Sequence, residues 1–260
     1  MSLIVFAVFI FFSAALGASM GSFLNVVASR TVEERSWWGE ERSSCDSCGR
    51  KLTATELVPI VSWLVLRRGC RSCGAKIPLR YLGVEAAGAA IGALLAWRWG
   101  FSVTLIFAAA IASGLFLNAL TDLYGGHVYD LFALGLGGAG MLMRIGGGFP
   151  GLTDGLLGAL LGFGVIAVII IASRGGMGWG DASLMAGTGA ALGWQLTAWA
   201  LYTGFMIGGA IALGLLASGR IKRKDAIPLG PFLALGGIVS IVTGPWFFSL
   251  FGIAVRWPWY

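Results

Sequence analysis

Four cysteines stand in this chain as two Cys-x-x-Cys pairs, Cys45/Cys48 and Cys70/Cys73, with 21 residues between the pairs. Each pair can set two thiolates along one edge of a tetrahedron, and two such knuckles together make a four-sulfur zinc site. Gly49, Gly69 and Gly74 flank the pairs, as tight turns around a metal require. Disulfides are the competing use of four cysteines, and a reducing compartment argues against them. Four sulfur ligands leave no open position for water or substrate, so the expected zinc is structural and the chemistry must lie elsewhere.

Carboxylates are the other candidates. Outside the segment 28–82 the only acidic residues are Glu85, Asp122, Asp130, Asp154, Asp181 and Asp225. Asp181 closes the run Gly176-Met177-Gly178-Trp179-Gly180-Asp181, whose glycines allow an extended backbone to come close to a carboxylate. A plainer role is also open to it, because an aspartate at a helix N-terminus caps and stabilises that helix. Two aspartates brought together with part of their water excluded cannot both ionise easily. One then activates water while the other protonates the leaving group, which is the chemistry of an aspartic protease. The only histidine is His127, read as a loop residue, and all four cysteines are already assigned to the knuckles. Nucleophilic Ser–His or Cys–His systems therefore have little to be built from.

The elements that must position these residues are set by composition. Of 260 residues, 57% are hydrophobic and only 12% charged, about half the charge a soluble domain carries, so the chain belongs in a bilayer. Eight apolar stretches fit spans of about 20 residues: 3–27, 83–97, 102–121, 128–143, 153–173, 182–194, 196–218 and 230–253. The expected fold is all-α, with a water-facing loop domain at 28–82 after the first helix and a seven-helix core at 83–260. Alternation of the spans places fifteen of the eighteen basic residues on one side: ten in the loop, Arg174, and Arg220, Lys222, Arg223 and Lys224. By the positive-inside rule that side is the cytoplasm, and both termini lie outside. Asp122, Asp130 and Asp181 then share the cytoplasmic face, whereas Asp154 and Asp225 read as ordinary interfacial charges. Trp97, Trp99, Trp246, Trp257 and Trp259 fall at external span ends, as an aromatic belt. The first span lacks a basic n-region and is longer than an h-region, so it reads as a permanent helix. The net charge of +6 follows from this topology and calls for membrane lipid, with no nucleic acid partner. The oligomeric state is left open.

These residues resemble the type IV prepilin peptidases, membrane aspartic proteases of the G-x-G-D type. The opening motif Gly21-Ser22-Phe23-Leu24-Asn25-Val26-Val27 with Arg30, the two cysteine pairs, Lys76-Ile77-Pro78-Leu79-Arg80-Tyr81 with Glu85, Asp122 followed by Asp130, Gly178-Trp179-Gly180-Asp181, and Ile227-Pro228-Leu229-Gly230-Pro231-Phe232 all carry the likeness. The resemblance implies Asp122 and Asp181 as the catalytic pair, with Asp130, Gly178 and Gly180 in support. It also implies removal of the leader from prepilins or pseudopilins at the cytoplasmic face of the bacterial inner membrane, and N-methylation of the new terminus with S-adenosylmethionine. No G-x-G-x-x-G motif after a strand supports a methyl-donor site independently. The chain departs from the family pattern at Asp46, Tyr129 and Ser183, the last removing a cation commonly found near the second aspartate.

Two other classes remain for comparison. A non-enzymatic assembly factor would bind a partner through the cysteine loop and use its aspartates only as helix caps. A proton-coupled transporter would keep carboxylates near mid-bilayer, whereas here they gather at one face.

Overall fold

The structure, a computed structural model, describes residues 2–37, 43–174, 176–222, 227–256 and 258–259. Arg223, Lys224, Asp225 and Trp257, together with residues 38–42 of the loop, lie outside the described residues. The described residues form helices α1 (Leu3–Val32), α2 (Val61–Val65), α3 (Leu79–Trp99), α4 (Val103–Gly125), α5 (Asp130–Arg144), α6 (Gly148–Ala172), α7 (Trp179–Leu192), α8 (Trp194–Ala217) and α9 (Gly230–Ser249). Apart from two isolated bridges, Ser44 with Lys51 and Gly69 with Lys76, they contain no strand, so the expected all-α class holds among them.

Among the described residues, six helical segments are long and apolar enough to cross a membrane: α1, α3, α4, α8, α9 and the joined stretch Asp130–Ala172. That stretch contains two of the eight expected spans, α5 and α6, separated by a single 3-10 turn at Ile145–Gly147. The 14-residue α7 is about 21 Å long at the usual helical rise, shorter than a bilayer core of ~30 Å.

Internal packing divides the chain into Met1–Phe101 and Ser102–Tyr260. In the first unit α1 packs along α3 with small residues at the seam. A Cβ added to Gly17 would collide with the carbonyl of Gly88, and one added to Gly92 with that of Ser13. Such seams let membrane helices approach at backbone distance, where packing replaces the hydrophobic effect as the source of stability. Glu85 of α3 ties the loop to this pair. One carboxylate oxygen accepts from Ser22 Oγ at 2.9 Å and the other from the backbone N–H of Ile60 at 2.6 Å.

The second unit is built around α7, against which α5 and α6 both pack. The contacts are again backbone to backbone: Gly187 against Ala133, Gly189 against Gly158, and Gly140 against Ala191. α9 packs on α4 and α8. Ser102 Oγ caps α4 by accepting from Leu105 N at 3.2 Å. The helix stops at Gly126, whose left-handed φ of 71° lets its N–H reach the Asp122 carbonyl.

Two expectations are corrected here. Asp154 is not an interfacial charge: it is 2% exposed and accepts from Arg144 Nη1 at 2.7 Å, with Arg144 itself fully buried. Arg144 Nη1 and Nε also donate to the carbonyls of Gly151 and Ala191, at 3.3 and 3.1 Å, so the pair joins the end of α5, the start of α6 and the end of α7. A buried charge is tolerated when paired and hydrogen-bonded, which span counting cannot foresee. Trp259, expected in an aromatic belt, is buried instead, and the neighbouring Pro258 carbonyl accepts from Thr104 Oγ1 at 3.1 Å. Trp97 and Trp246 are exposed, as belt residues would be.

Candidate active site and metal centre

The two cysteine knuckles fold alike. In the first, Cys45 N–H donates to Arg50 O and Gly49 N–H to Cys45 O, at 2.9 and 2.8 Å. In the second, Cys70 N–H donates to Ala75 O and Gly74 N–H to Cys70 O, both at 2.9 Å. Gly49 and Gly74 take φ of 69° and 68°, the left-handed region that glycine enters at low steric cost. The four sulfurs lie within 4.8 Å of one another, and Cys45 and Cys73 are 3.8 Å apart. A tetrahedron with Zn–S bonds of ~2.3 Å has edges of about 3.8 Å, so the donor set fits zinc in number, chemistry and spacing.

Beside the knuckles, buried Glu56 is held by the Arg50 guanidinium at 2.5 Å and by the Thr53 N–H and hydroxyl, both at 2.9 Å. Arg50 first, and Thr53 next, pull the Glu56 carboxyl down to about 2 from an ordinary value of 4.5. A depressed carboxylate stabilises the fold above its unfolded pKa. This contribution is complete above pH 4.5 and is lost as the pH falls from there toward 2.

The aspartates are set differently. Asp122 lies in the last turn of α4 and is 5% exposed; Asp181 lies in the first turn of α7 and is 9% exposed. The two carboxyl groups are close enough to interact electrostatically. Asp122 Oδ2 accepts from the backbone N–H of Gly230, at the start of α9, at 3.0 Å. A Cβ at Gly230 would sit 2.6 Å from that oxygen, so glycine is what lets the donor come this close.

Gly178 is the N-cap of α7, and its carbonyl accepts from the Asp181 N–H at 3.2 Å. Asp181 thus stands in the first turn, where a carboxylate suits the helix N-terminus. That role does not account for Asp122, which is buried at a helix C-terminal end, where the macrodipole disfavours an anion. Gly180 packs against Val128, where a Cβ would lie 3.0 Å from that residue's own Cβ. Gly176, Gly178 and Trp179 are exposed, leaving the approach to Asp181 uncovered.

Asp130 opens α5 and is exposed. His127 is exposed, as a loop residue should be; its Nδ1 is 2.9 Å from Gly125 O, its ring lies 4.6 Å from that of Tyr129, and it interacts electrostatically with Asp122. The structure thus gathers Asp122, Asp181 and the backbone of Gly178 and Gly230 at one place. Gly230 as a donor to Asp122 was not evident from sequence, because 108 residues separate them; its place beside two prolines was the only signal.

Residues 15–99 match the model of the bacterial peptidase A24 N-terminal domain, and residues 109–213 that of the type IV leader peptidase family. A prepilin leader peptidase/N-methyltransferase of Burkholderia pseudomallei is 31% identical, over 93% of this chain and 87% of the relative. The chain belongs to the type IV leader peptidase family. Enzymes with the same printed name from Aeromonas hydrophila and Pseudomonas aeruginosa are 33% and 30% identical, covering 86% and 91% of this chain and 87% and 91% of their own lengths. No solved structure matches the chain. Within this leader peptidase, the four cysteines fall in the segment matched by the N-terminal model and both aspartates in the other. Gly230 lies beyond both.

Proposed function

We propose that the protein is a membrane-embedded aspartic endopeptidase that removes the leader from type IV prepilins or pseudopilins, with Asp122 and Asp181 as its catalytic pair. The observation that carries this is a pair of buried carboxylates, from α4 and α7, within electrostatic reach of each other, one of them accepting from the Gly230 N–H. In the reaction the pair shares one proton. The ionised aspartate takes a proton from water as the water oxygen attacks the scissile carbonyl, and the protonated one donates to that carbonyl oxygen. Collapse of the tetrahedral intermediate breaks the C–N bond, with a proton passing to the leaving amine. Backbone attack requires the substrate to be unwound, and the exposed Gly176 and Gly178 give an extended chain room beside Asp181. Asp130, Gly178 and Gly180 support the site: Gly178 through its contact with Asp181, and Gly180 through close packing on Val128.

In this reading the chain crosses the bacterial inner membrane eight times, using α1 and α3 to α9, with the loop 28–82 and the aspartates at the cytoplasmic face and both termini outside. The segment 83–260 forms the peptidase core. Cys45, Cys48, Cys70 and Cys73 hold one structural zinc, which cross-links the loop and, with four sulfur ligands, takes no part in hydrolysis. The relatives' names include an N-methyltransferase activity, which we assign to this chain with S-adenosylmethionine as the donor. The described residues offer no glycine-rich turn between a strand and a helix to hold such a nucleoside, and no transfer step is derived.

Two outcomes are expected. Metal analysis of the purified protein finds about one zinc per chain, and Cys45→Ser or Cys73→Ser loses it and opens the loop to proteolysis. In Gly230→Ala the new methyl group meets Asp122 Oδ2, Cγ and Cβ at 2.6, 3.0 and 3.2 Å, so the carboxylate has to shift. A displacement of this kind lowers kcat by ~10²-fold. An unchanged kcat on a prepilin peptide would show that the Gly230 contact does not position the reaction.

A further inference from the structure

Among the residues of the loop, one segment is apolar where a water-facing segment should be polar. Leu57, Val58, Val61, Leu64 and Val65 are all exposed, Leu64 at 58% and Val65 at 69%. Val61, Leu64 and Val65 recur on one face of α2, and exposed Leu57 and Val58 directly precede it in the chain. Glu56 and Trp63 are buried between them. Glu56 is taken up by Arg50, and Trp63 lies under the Arg68 guanidinium, 4.8 Å from its ring centroid. The apolar face is followed at once by exposed Arg67, Arg68 and Arg71.

The position of this segment is fixed. Ile60 N–H donates to Glu85 Oε2 at 2.6 Å, and Ser22 Oγ of α1 donates to the other oxygen of the same carboxylate. Glu85 is six residues into α3, about 9 Å along a helix long and apolar enough to span a membrane. Ile60 is therefore held beside the second turn of α3, next to two helices long and apolar enough to cross a membrane. It sits at φ 65°, which a β-branched residue adopts only under constraint, and Arg67 and Arg68 at the other end of α2 also have positive φ, 47° and 67°. The loop is bent at both ends of α2, and the start of that helix is tied to the second turn of α3.

We infer that residues 57–71 form a bilayer-docking element: the face Leu57, Val58, Val61, Leu64 and Val65 enters the interfacial region of the leaflet, and Arg67, Arg68 and Arg71 engage anionic lipid headgroups. The partner is the membrane surface because the Glu85 tether places the patch there, and because an apolar face with a basic flank complements an anionic leaflet. A patch of this size left in water would favour association; lowered onto acyl chains it is satisfied. The element also makes the loop lie along the bilayer surface, independently of what the enzyme cleaves.

The test uses the full-length protein in nanodiscs of phosphatidylcholine with phosphatidylglycerol. A ketoxime nitroxide is attached to p-acetylphenylalanine placed singly at Val61, Leu64 or Val65, which leaves the cysteines untouched, with Phe11 as a lipid reference and Lys51 as a water reference. Power saturation against oxygen and a nickel chelate should place the three labels about 5–10 Å below the phosphate plane, and Lys51 in water. Nickel accessibility at Leu64 and Val65 equal to that at Lys51 overturns the inference. So does protection from both reagents that appears only with two chains per disc, or only after a prepilin peptide is added, because the occupant is then a second copy or the substrate. In Arg67→Glu/Arg68→Glu the labels should move toward water in the anionic discs, with little change in phosphatidylcholine alone. An equal response in both lipids overturns the role given to the arginines.

Discussion

Asp122→Asn and Asp181→Asn are each expected to lose prepilin cleavage by roughly 10⁴-fold or more, with folding and the metal content of the protein unchanged. The size of the loss follows from the division of labour. With either carboxylate replaced by an amide, no shared proton remains to be handed between water, carbonyl and amine, and the residual rate comes from substrate binding alone. Because the two act as one unit, the double substitution should lose little more than either single one, a non-additivity that separates shared catalysis from two independent structural effects. Cleavage is read by the mobility shift of a purified prepilin and the mass of its new N-terminus. Normal turnover by either single variant would remove that aspartate from the pair. Loss in Asp130→Asn with retention in both others would move the chemistry to α5, where the exposure of Asp130 gives no reason to expect it.

Arg144→Met alone and Asp154→Ala alone are each expected to destabilise the folded protein by about 3–5 kcal/mol, since each leaves the partner charge buried without its counter-charge. The pair Arg144→Met/Asp154→Leu should recover most of that loss, as apolar replacements of similar volume commonly do for buried ion pairs. Unfolding in mixed micelles, followed by circular dichroism against denaturant, measures all three. If the single variants were as stable as the parent, the burial of this pair would carry no energetic weight. Activity should follow stability here, because Arg144 holds the carbonyl of Ala191 at the end of the same short helix that carries Asp181 in its first turn.

What the sequence revealed and what it concealed divide along the range of the interactions. The knuckles were legible because each is a local event: two cysteines, a glycine with positive φ, and a backbone hydrogen bond closing within five residues. Helix placement was legible as well, since apolar stretches need no knowledge of their neighbours; each of the eight expected stretches coincides with a helix, although among the described residues only six segments meet the length and hydropathy needed to cross a membrane. Asp154 was misjudged because its role depends on Arg144, ten residues away across a turn, and on a carbonyl 47 residues beyond Arg144. Trp259 was misjudged for a similar reason: aromatic residues at a chain end suit a lipid interface by type, and only packing shows that this one is enclosed. The Gly230–Asp122 hydrogen bond spans 108 positions and leaves no mark in composition or period.

The shortness of α7 also bears on how a hydrolase obtains water inside a bilayer. A helix of about 21 Å cannot bring both of its ends to the two surfaces of a ~30 Å slab. Its far end turns directly into α8 at Gly193 and is enclosed among Leu192, Gln195 and the Arg144–Asp154 pair, while the residues leading into its near end are open. The proposed site is therefore approached from one end of α7 only, since the residues leading into Asp181 are exposed and the opposite end of the helix is packed shut.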